Sequence, residues 1–585
     1  MEEIENPIED YASYFKELHA RNVSAYFEDL VKRSQIDEQL NIQTISELRE
    51  LEKDHSQGSS SRKKWRIIKF LLIGGGLALV ALAILQQGVY LVGIVPVLAG
   101  VWFLINRVNP QIKSLNDKIA ELVGVVKLKS DEAWLQMAPL NQLHSWDVAQ
   151  KLFQETIPDI EFDRYLTGER LNDLQNNFGL SPNFTDGRSM LLAHSGAFKQ
   201  NPFAVARYKH HWIGSCAYSG FIVIYWTESE RDADGDWIEV QKSQTLTATI
   251  HKPFPEYVDR TTLLYGHEAA PNLSFSRGPS KLSGLDDKMM TTWRKGHAIK
   301  QVERKARKDV RTGDGQLTMM SNREFEALFK AIDRDHEIEF RLMFSPLAQQ
   351  EMVKLLNDRD VGYGDNFAFH KEGMVNFIET QHLAHVRLDG DPKMYATLEC
   401  AQARKFFNEF HAELFKSLYF AFAPLWTVPL YRDKRSNPRA GNQSVAQSSS
   451  HWEHEAMCNS IGENTFKHPE SITQNILKTN ATLNADGTSS VDIMAYGYKG
   501  IPQVEIVTML GGDGNYHAVP VPWTEYVPVS RQSKMLVAEI KNPSVDSLEE
   551  TDFEREKISA ASFQSRGIDL KNVYSRNGLI AVLVQ

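Results

Sequence analysis

The sequence predicts an α+β chain: N-terminal helices, a two-helix transmembrane hairpin, and a large cytoplasmic α+β region ending in a β-rich domain. Three observations lead there. Residues 1–60 are polar with a helical period. One apolar run, Ile67–Ile105, is interrupted only at Gln86-Gln87-Gly88. From about Asn201 onward, period-two alternation replaces the helical period in several segments.

Composition narrows the function. At 585 residues the chain has room for several domains of about 150 residues each. Apolar residues make up 42% and charged residues 24%, the balance of a folded protein. The net charge of −10 argues against a general nucleic-acid binder, which is usually basic, so no nucleic-acid partner is expected. The three cysteines, Cys216, Cys400 and Cys458, are widely spaced and odd in number, which suits a reducing cytoplasm better than a disulfide framework. The N-terminal MEEIENPIEDYASYF is acidic and has no apolar core, unlike a signal peptide.

Within residues 1–60, Phe15, Leu18, Val23, Tyr26, Phe27, Leu30 and Val31 share one face of a first helix. A second helix carries Leu40, Ile42, Ile45, Leu48 and Leu51, and the polar tract Gln57–Ser61 leads on from it. The hairpin occupies 61–107, with spans 67–85 and 89–105. At about 1.5 Å per residue these reach roughly 28 and 25 Å, near the ~30 Å hydrocarbon core, whereas one continuous helix would be about twice too long. Gly74, Ala78 and Ala81 on the first span, and Gly93 and Gly100 on the second, form small-residue stripes suited to close helix packing. Arg62, Lys63, Lys64 and Arg66 precede the first span, Lys69 lies in its first turn, and Arg107 follows the second. The turn carries no charge. The positive-inside rule then sets a two-span protein of the cell membrane with both termini cytoplasmic, its basic flanks at the membrane surface.

A juxtamembrane helical region (108–200) follows, with QIKSLNDKIAELVGVV amphipathic, and the flanking helices are suited to a bundle or stalk. In the β-rich domain (201–290), SGFIVIYWT reads as a buried strand, ESERDADGD as a turn, and WIEVQKSQTLTATI as the returning strand of a long hairpin. A basic linker helix (291–318) offers a contact for anionic lipid or acts as a solvated linker. The α+β module (319–431) starts with Ser321 as N-cap and Glu324 three residues on. There EFRLMFSP reads as a strand, PLAQQEMVKLLND as a helix, and GYGDNFAFHKEGMVNFI as a hairpin. A long aromatic helix closes the module; its Leu414–Tyr431 stretch reads as core, with interfacial and spanning alternatives open. After a polar linker (432–450), the C-terminal β-rich domain (451–585) contains GIPQVEIVTML and YHAVPVPWTEYVPV joined at GGDGN, then KMLVAEI and LIAVLV. The Gly511–Gly514 turn lacks the following helical Lys-Ser or Lys-Thr of a phosphate loop.

The hairpin and the stretch REFEALFKAIDRDHEIEFRLMFSPLAQQEMVKLL, Arg323 to Leu356, resemble an uncharacterised bacterial family, a domain of unknown function. Its members have an N-terminal helix, a two-span hairpin and a cytoplasmic α+β region. The resemblance covers roughly residues 60–390 and implies a membrane-anchored cytoplasmic protein. It brings no catalytic residue with it.

One constellation carries metal chemistry: His451, His454, Cys458 and His468, of types that bind zinc. On a helix the first three share a face, and Glu453 or Glu455 would serve as base for a metal-bound water. A membrane-tethered metal-dependent hydrolase is therefore one reading, and a subunit of an oligomeric channel another. The leading expectation is a non-enzymatic scaffold on the bilayer without a cofactor, forming a homo-oligomer or holding a protein partner.

Overall fold

The computed structural model describes residues 4–85, 90–231, 234, 236–280, 282–283, 296–304, 307–308, 318–435, 449–485, 487–539 and 573–584, with only the backbone for 79–85 and 90–96. The predicted turn at Gln86–Gly88, most of the 291–318 linker helix and most of the 432–450 linker lie outside these residues. The α+β class holds: helices accompany two antiparallel sheets. The chain divides into two compact units. One comprises Ser24–His144 with Pro392–Phe410, the other Met1–Val23, Ser145–Asp391 and His411–Gln585.

The first unit is helical. It takes in the C-terminal part of α1 (Lys16–Ser34), then α2 (Glu38–Leu85), α3 (Tyr90–Phe103) and α4 (Asn109–Asn141). A π-helical turn at Leu104–Val108 joins the last two. The 48 residues of α2 make a rod about 70 Å long. Helix α2 packs antiparallel on α4. Asn41 Nδ2 donates to Gln136 Oε1 at 3.3 Å, Lys129 pairs with Glu47 at 2.9 Å, and a Cβ placed on Gly58 would meet Ile119 at 3.4 Å. All three pairs share one midpoint in sequence, near residue 88.

The buried face of α2 differs from the expected one. Leu40 and Ile42 are 47% and 60% exposed, while Asn41, Thr44, Ile45 and Leu48 are buried. The reason is a polar ladder. Asn41 also donates to the Leu398 carbonyl and accepts from the Cys400 N–H, and Gln136 donates to Thr44 Oγ1. Satisfying the backbone at Leu398–Cys400 turns this polar face inward. Among the described residues no helix is long and apolar enough to cross a membrane. The side chains of 79–96, which make up the middle of the apolar run, lie outside that set.

The second unit holds a seven-stranded sheet, in the order β1-β2-β3-β4-β7-β6-β5, and a five-stranded sheet, β11-β12-β10-β9-β8. In the first, β1 (Ile160–Phe162), β2 (Arg188–Phe198), β3 (Asn201–Arg231) and β4 (Trp237–Gly266) precede β5 (Ser274–Arg277), β6 (Phe367–Glu372) and β7 (Val375–Thr380). The second runs β8 (Ile476–Leu483), β9 (Ser489–Leu510), β10 (Tyr516–Glu539), β11 (Val573–Arg576) and β12 (Leu579–Val584). The predicted hairpins are thus present and longer than the sequence suggested.

Two readings of the 319–431 module change. EFRLMFSP is helical: among the unit's helices, α5 (Val148–Thr156), α6 (Gly168–Asn176) and α7 (Arg323–Phe329), the next is α8 (Glu337–Met343). Ile338, Phe340, Leu342 and Phe344 imitate a period of two. The residues actually buried are Phe340, Met343 and Phe344, a three-and-four-residue step, while Ile338 and Leu342 stay 74% and 64% exposed. The N-cap of α7 is Asn322, which accepts from the Glu324 and Phe325 N–H groups, one residue beyond the predicted Ser321. Helix α9 (Pro346–Asn357) begins at its proline as expected, capped by Ser345. The aromatic stretch of α10 (Cys400–Trp426) is core. Leu414, Phe415, Tyr419, Phe422 and Trp426 are buried, and His19 stacks on Phe415 at 3.9 Å.

Candidate interaction surface

The predicted metal residues sit around α11 (His451–Ile461). This helix is a buried wedge rather than a ligand platform. Trp452 enters the core formed by Leu171, Phe178, Met190 and Tyr208, while Met457 and Cys458 enter the core of Leu477, Ile493 and Met535. His454 Nε2 is 2.9 Å from Ser449 Oγ, and burial holds its pKa down at about 4. Cys458 Sγ is 3.7 Å from Met535 Sδ, and burial pushes its thiol pKa up. His468 Nδ1 accepts from the Glu470 N–H at 3.2 Å. His451 is largely buried, which lowers its pKa. Among the described residues no group of three or more His, Cys, Asp or Glu is placed to hold a metal ion. Helical spacing aligns His451, His454 and Cys458, and the contacts of His454, Cys458 and His468 engage each of them singly.

The two carboxylates proposed as bases have backbone work instead. Glu453 accepts from the Leu166 N–H at 2.9 Å and Glu455 from the Met190 N–H at 3.0 Å. The β2–β3 register shifts between Met190 and Leu192, so the bulge turns that N–H toward the helix. Glu455 also pairs with Lys478 at 3.2 Å, and burial raises its pKa to about 7.

The membrane-directed residues lie on the helical unit. The α2–α4 register sets Arg62, Lys63, Lys64, Arg66 and Lys69 level with the stretch around Arg107 and Lys113. Beyond that level apolar side chains are exposed: Phe70 73%, Leu71 70%, Leu77 67%, Leu98 62%, Trp102 63%. The described part of the small-residue stripe is open. A Cβ on Gly74 or Gly100 would meet nothing within 4 Å, and Ala78 is exposed. Where every face is apolar, periodicity cannot choose the contact face. Ala81 and Gly93 have side-chain positions outside the described set. Of the basic linker helix, Val302 on its thin apolar side is buried.

The surface that sequence reasoning missed is a two-layer β arm. Beyond His210, β3 pairs only with β4 among the described residues, and β4 gains β7 only from Thr262. Likewise β9 beyond Tyr496 pairs only with β10, and β10 meets β12 only from Lys534. Each hairpin therefore continues as a two-stranded ribbon, the first for about 65 Å at roughly 3.3 Å per residue. The ribbons lie face to face. Ile224, Leu246 and Ala248 pack against Val519 and Val521, flanked by Ile222, Trp226, Val507 and Met509. Gly220 permits the approach: a Cβ there would stand 2.0 Å from the Pro520 carbonyl oxygen. Near the tips the Gly512 N–H donates to Gln244 Oε1 at 2.7 Å, and lower down Lys252 pairs with Glu505 and lies over the Trp523 ring.

The outer faces are what remain. SGFIVIYWT is a half-buried strand instead of a buried one. Ile222 and Ile224 face the partner ribbon, while Phe221, Val223 and Tyr225 face outward at 68%, 43% and 78% exposure, with Trp237 on the same side. The second ribbon turns Val504, Ile506, Leu510 and Tyr516 outward on its own far side. The arm is thus a thin layer with apolar rows on two opposite faces and unpaired strand edges between them. Its signal in the sequence was apolar residues at both parities of strands with no third strand to pair.

Searches of family models, curated proteins and solved structures found no match to this chain.

Proposed function

We propose that the chain is a membrane-anchored, non-enzymatic scaffold that self-assembles through its β arm. The anchor is the apolar half of the α2–α3 hairpin, supported by apolar exposure above one level of basic residues. In this reading both large units lie on the cytoplasmic side, which the basic flanks support through the positive-inside rule. The observation that carries the assembly reading is the pair of apolar outer faces on one thin arm.

A second copy of the chain is the occupant we commit to. The two faces differ in sequence and lie on opposite sides, so copies can stack face to opposite face. Such a heterologous contact closes into a ring or extends as a filament. The test is the mass of the full chain in detergent or nanodiscs. An oligomer is expected, reduced to monomer by Phe221→Lys with Tyr225→Lys, which leave the inner layer untouched. A wild-type monomer would overturn the reading, as would an oligomer indifferent to those substitutions.

A further inference from the structure

A cavity of about 450 Å³ opens where both ribbons leave their sheets. Its size suits a small organic molecule, for which cavities run roughly 300–1,000 Å³. Its walls are aromatic: His211, Tyr257, Tyr496 and Tyr498, with Val529 and Lys478 completing the lining. Strand pairing fixes these rings, His211 standing opposite Tyr257 in the β3–β4 register and Tyr496 opposite Ser530 in β9–β10. The His211 ring lies 5.0 Å from Tyr257 and stacks on Tyr498 at 5.4 Å and 29°. Gly497 keeps the wall thin, since a Cβ there would collide with Ser471 and Asn475.

One polar group on this lining has capacity left. Among the described residues Lys478 donates to Glu455 alone, leaving further N–H bonds of its ammonium for another acceptor, and its side chain is 28% exposed. An aromatic cage with one cation selects a planar ring that carries an acid.

We propose that this cavity binds a small planar aromatic carboxylate, its ring among the tyrosines and its carboxylate on Lys478. Burial raises the Glu455 pKa to about 7, which weakens its hold on the Lys478 charge and leaves room for an anionic ligand. No metal or covalent step is involved.

The test uses 2-naphthoate as probe on the full chain in nanodiscs, with empty nanodiscs as blank and neutral 2-naphthylmethanol as comparison. One saturable site per chain is expected, with the alcohol weaker by about tenfold or more, the scale of a charged hydrogen bond. Lys478→Gln is expected to weaken naphthoate by a similar factor and to bring it level with the alcohol. Because Lys478→Gln also strips Glu455 of its partner, Tyr496→Ala serves as a second variant. That side chain is 47% exposed, and its loss should weaken both probes without unfolding the chain. Absence of saturable binding above the blank would overturn the proposal. So would equal affinity for acid and alcohol, or binding unchanged in Tyr496→Ala.

Discussion

The helical hairpin and the β arm both present apolar side chains to their surroundings, and they do so differently. On the hairpin, Phe70, Leu71, Leu77 and Trp102 are exposed, while Trp65, Lys69, Leu72 and Gly76, at three- and four-residue steps, make one half-buried stripe. On the arm, every second residue is already satisfied: Ile224 and Val519 are buried between the ribbons while Phe221 and Ile506 are left outside. The hairpin's exposure is the part we propose lipid covers. One-sided exposure asks for a surface, which is protein. Exposure alone is ambiguous, and its angular distribution separates the two cases.

The sharpest way to break that contrast is charge in the hairpin. Ile73→Asp with Leu77→Asp should cost about 3 kcal/mol per acid near the middle of a span, about 6 in all. The variant is expected to leave the alkaline-washed membrane fraction, with its arm unchanged. Retention in the pellet would refute the anchor.

Next comes pH at the root of the arm. The Glu455 carboxyl has its pKa raised from 4.5 to about 7 by burial. A carboxyl raised in the folded state binds protons more tightly there, so its contribution is full below pH 4.5 and is lost as pH rises toward 7. Glu455→Gln should therefore gain on wild type by about 3 kcal/mol across that interval. Denaturant midpoints measured at pH 4.5 and pH 7.5 read the difference. A constant offset would show that Glu455 is not held neutral.

Ile224→Ala removes inner-face packing and should cost about 2–4 kcal/mol locally. Hydrogen exchange is expected to speed up in 218–226 and 244–250 and to stay unchanged in α2 and α4. Acceleration in both regions would mean that the arm and the hairpin are not separate in stability.

The smallest effect is the most diagnostic of how copies meet. Val504→Lys with Ile506→Lys should weaken assembly by about tenfold, roughly 1.4 kcal/mol, with global stability within about 0.5 kcal/mol of wild type. Mixed with the Phe221→Lys, Tyr225→Lys variant, it should form dimers, because each supplies the face the other lacks. If either variant forms dimers by itself, the contact joins like faces instead.

Local pattern made much of the fold legible. Alternation announced the β3–β4 and β9–β10 hairpins, and Pro346 marked the start of its helix. Reading failed where two periods coincide or where the answer depends on a distant partner. Residues 337–344 fit a strand and a helix equally until Phe340, Met343 and Phe344 find their core. His451, His454 and Cys458 do align on one helical face, but whether a face meets a metal or a hydrophobic core is decided by Met535 and Ser449, one of them far away in sequence. The arm surface was invisible for the same reason. Nothing in β3 states that β10 will cover its even-numbered residues, except the glycine at 220.

The shared midpoint of the α2–α4 contacts limits how this hairpin can vary over evolutionary time. A residue inserted into one helix alone would rotate its contact face by about 100° and slide every later pair by 1.5 Å. Asn41 would then lose Gln136, and Glu47 would lose Lys129. Length changes in descendants of this chain should therefore come as matched gains or losses on both helices, counted outward from residue 88.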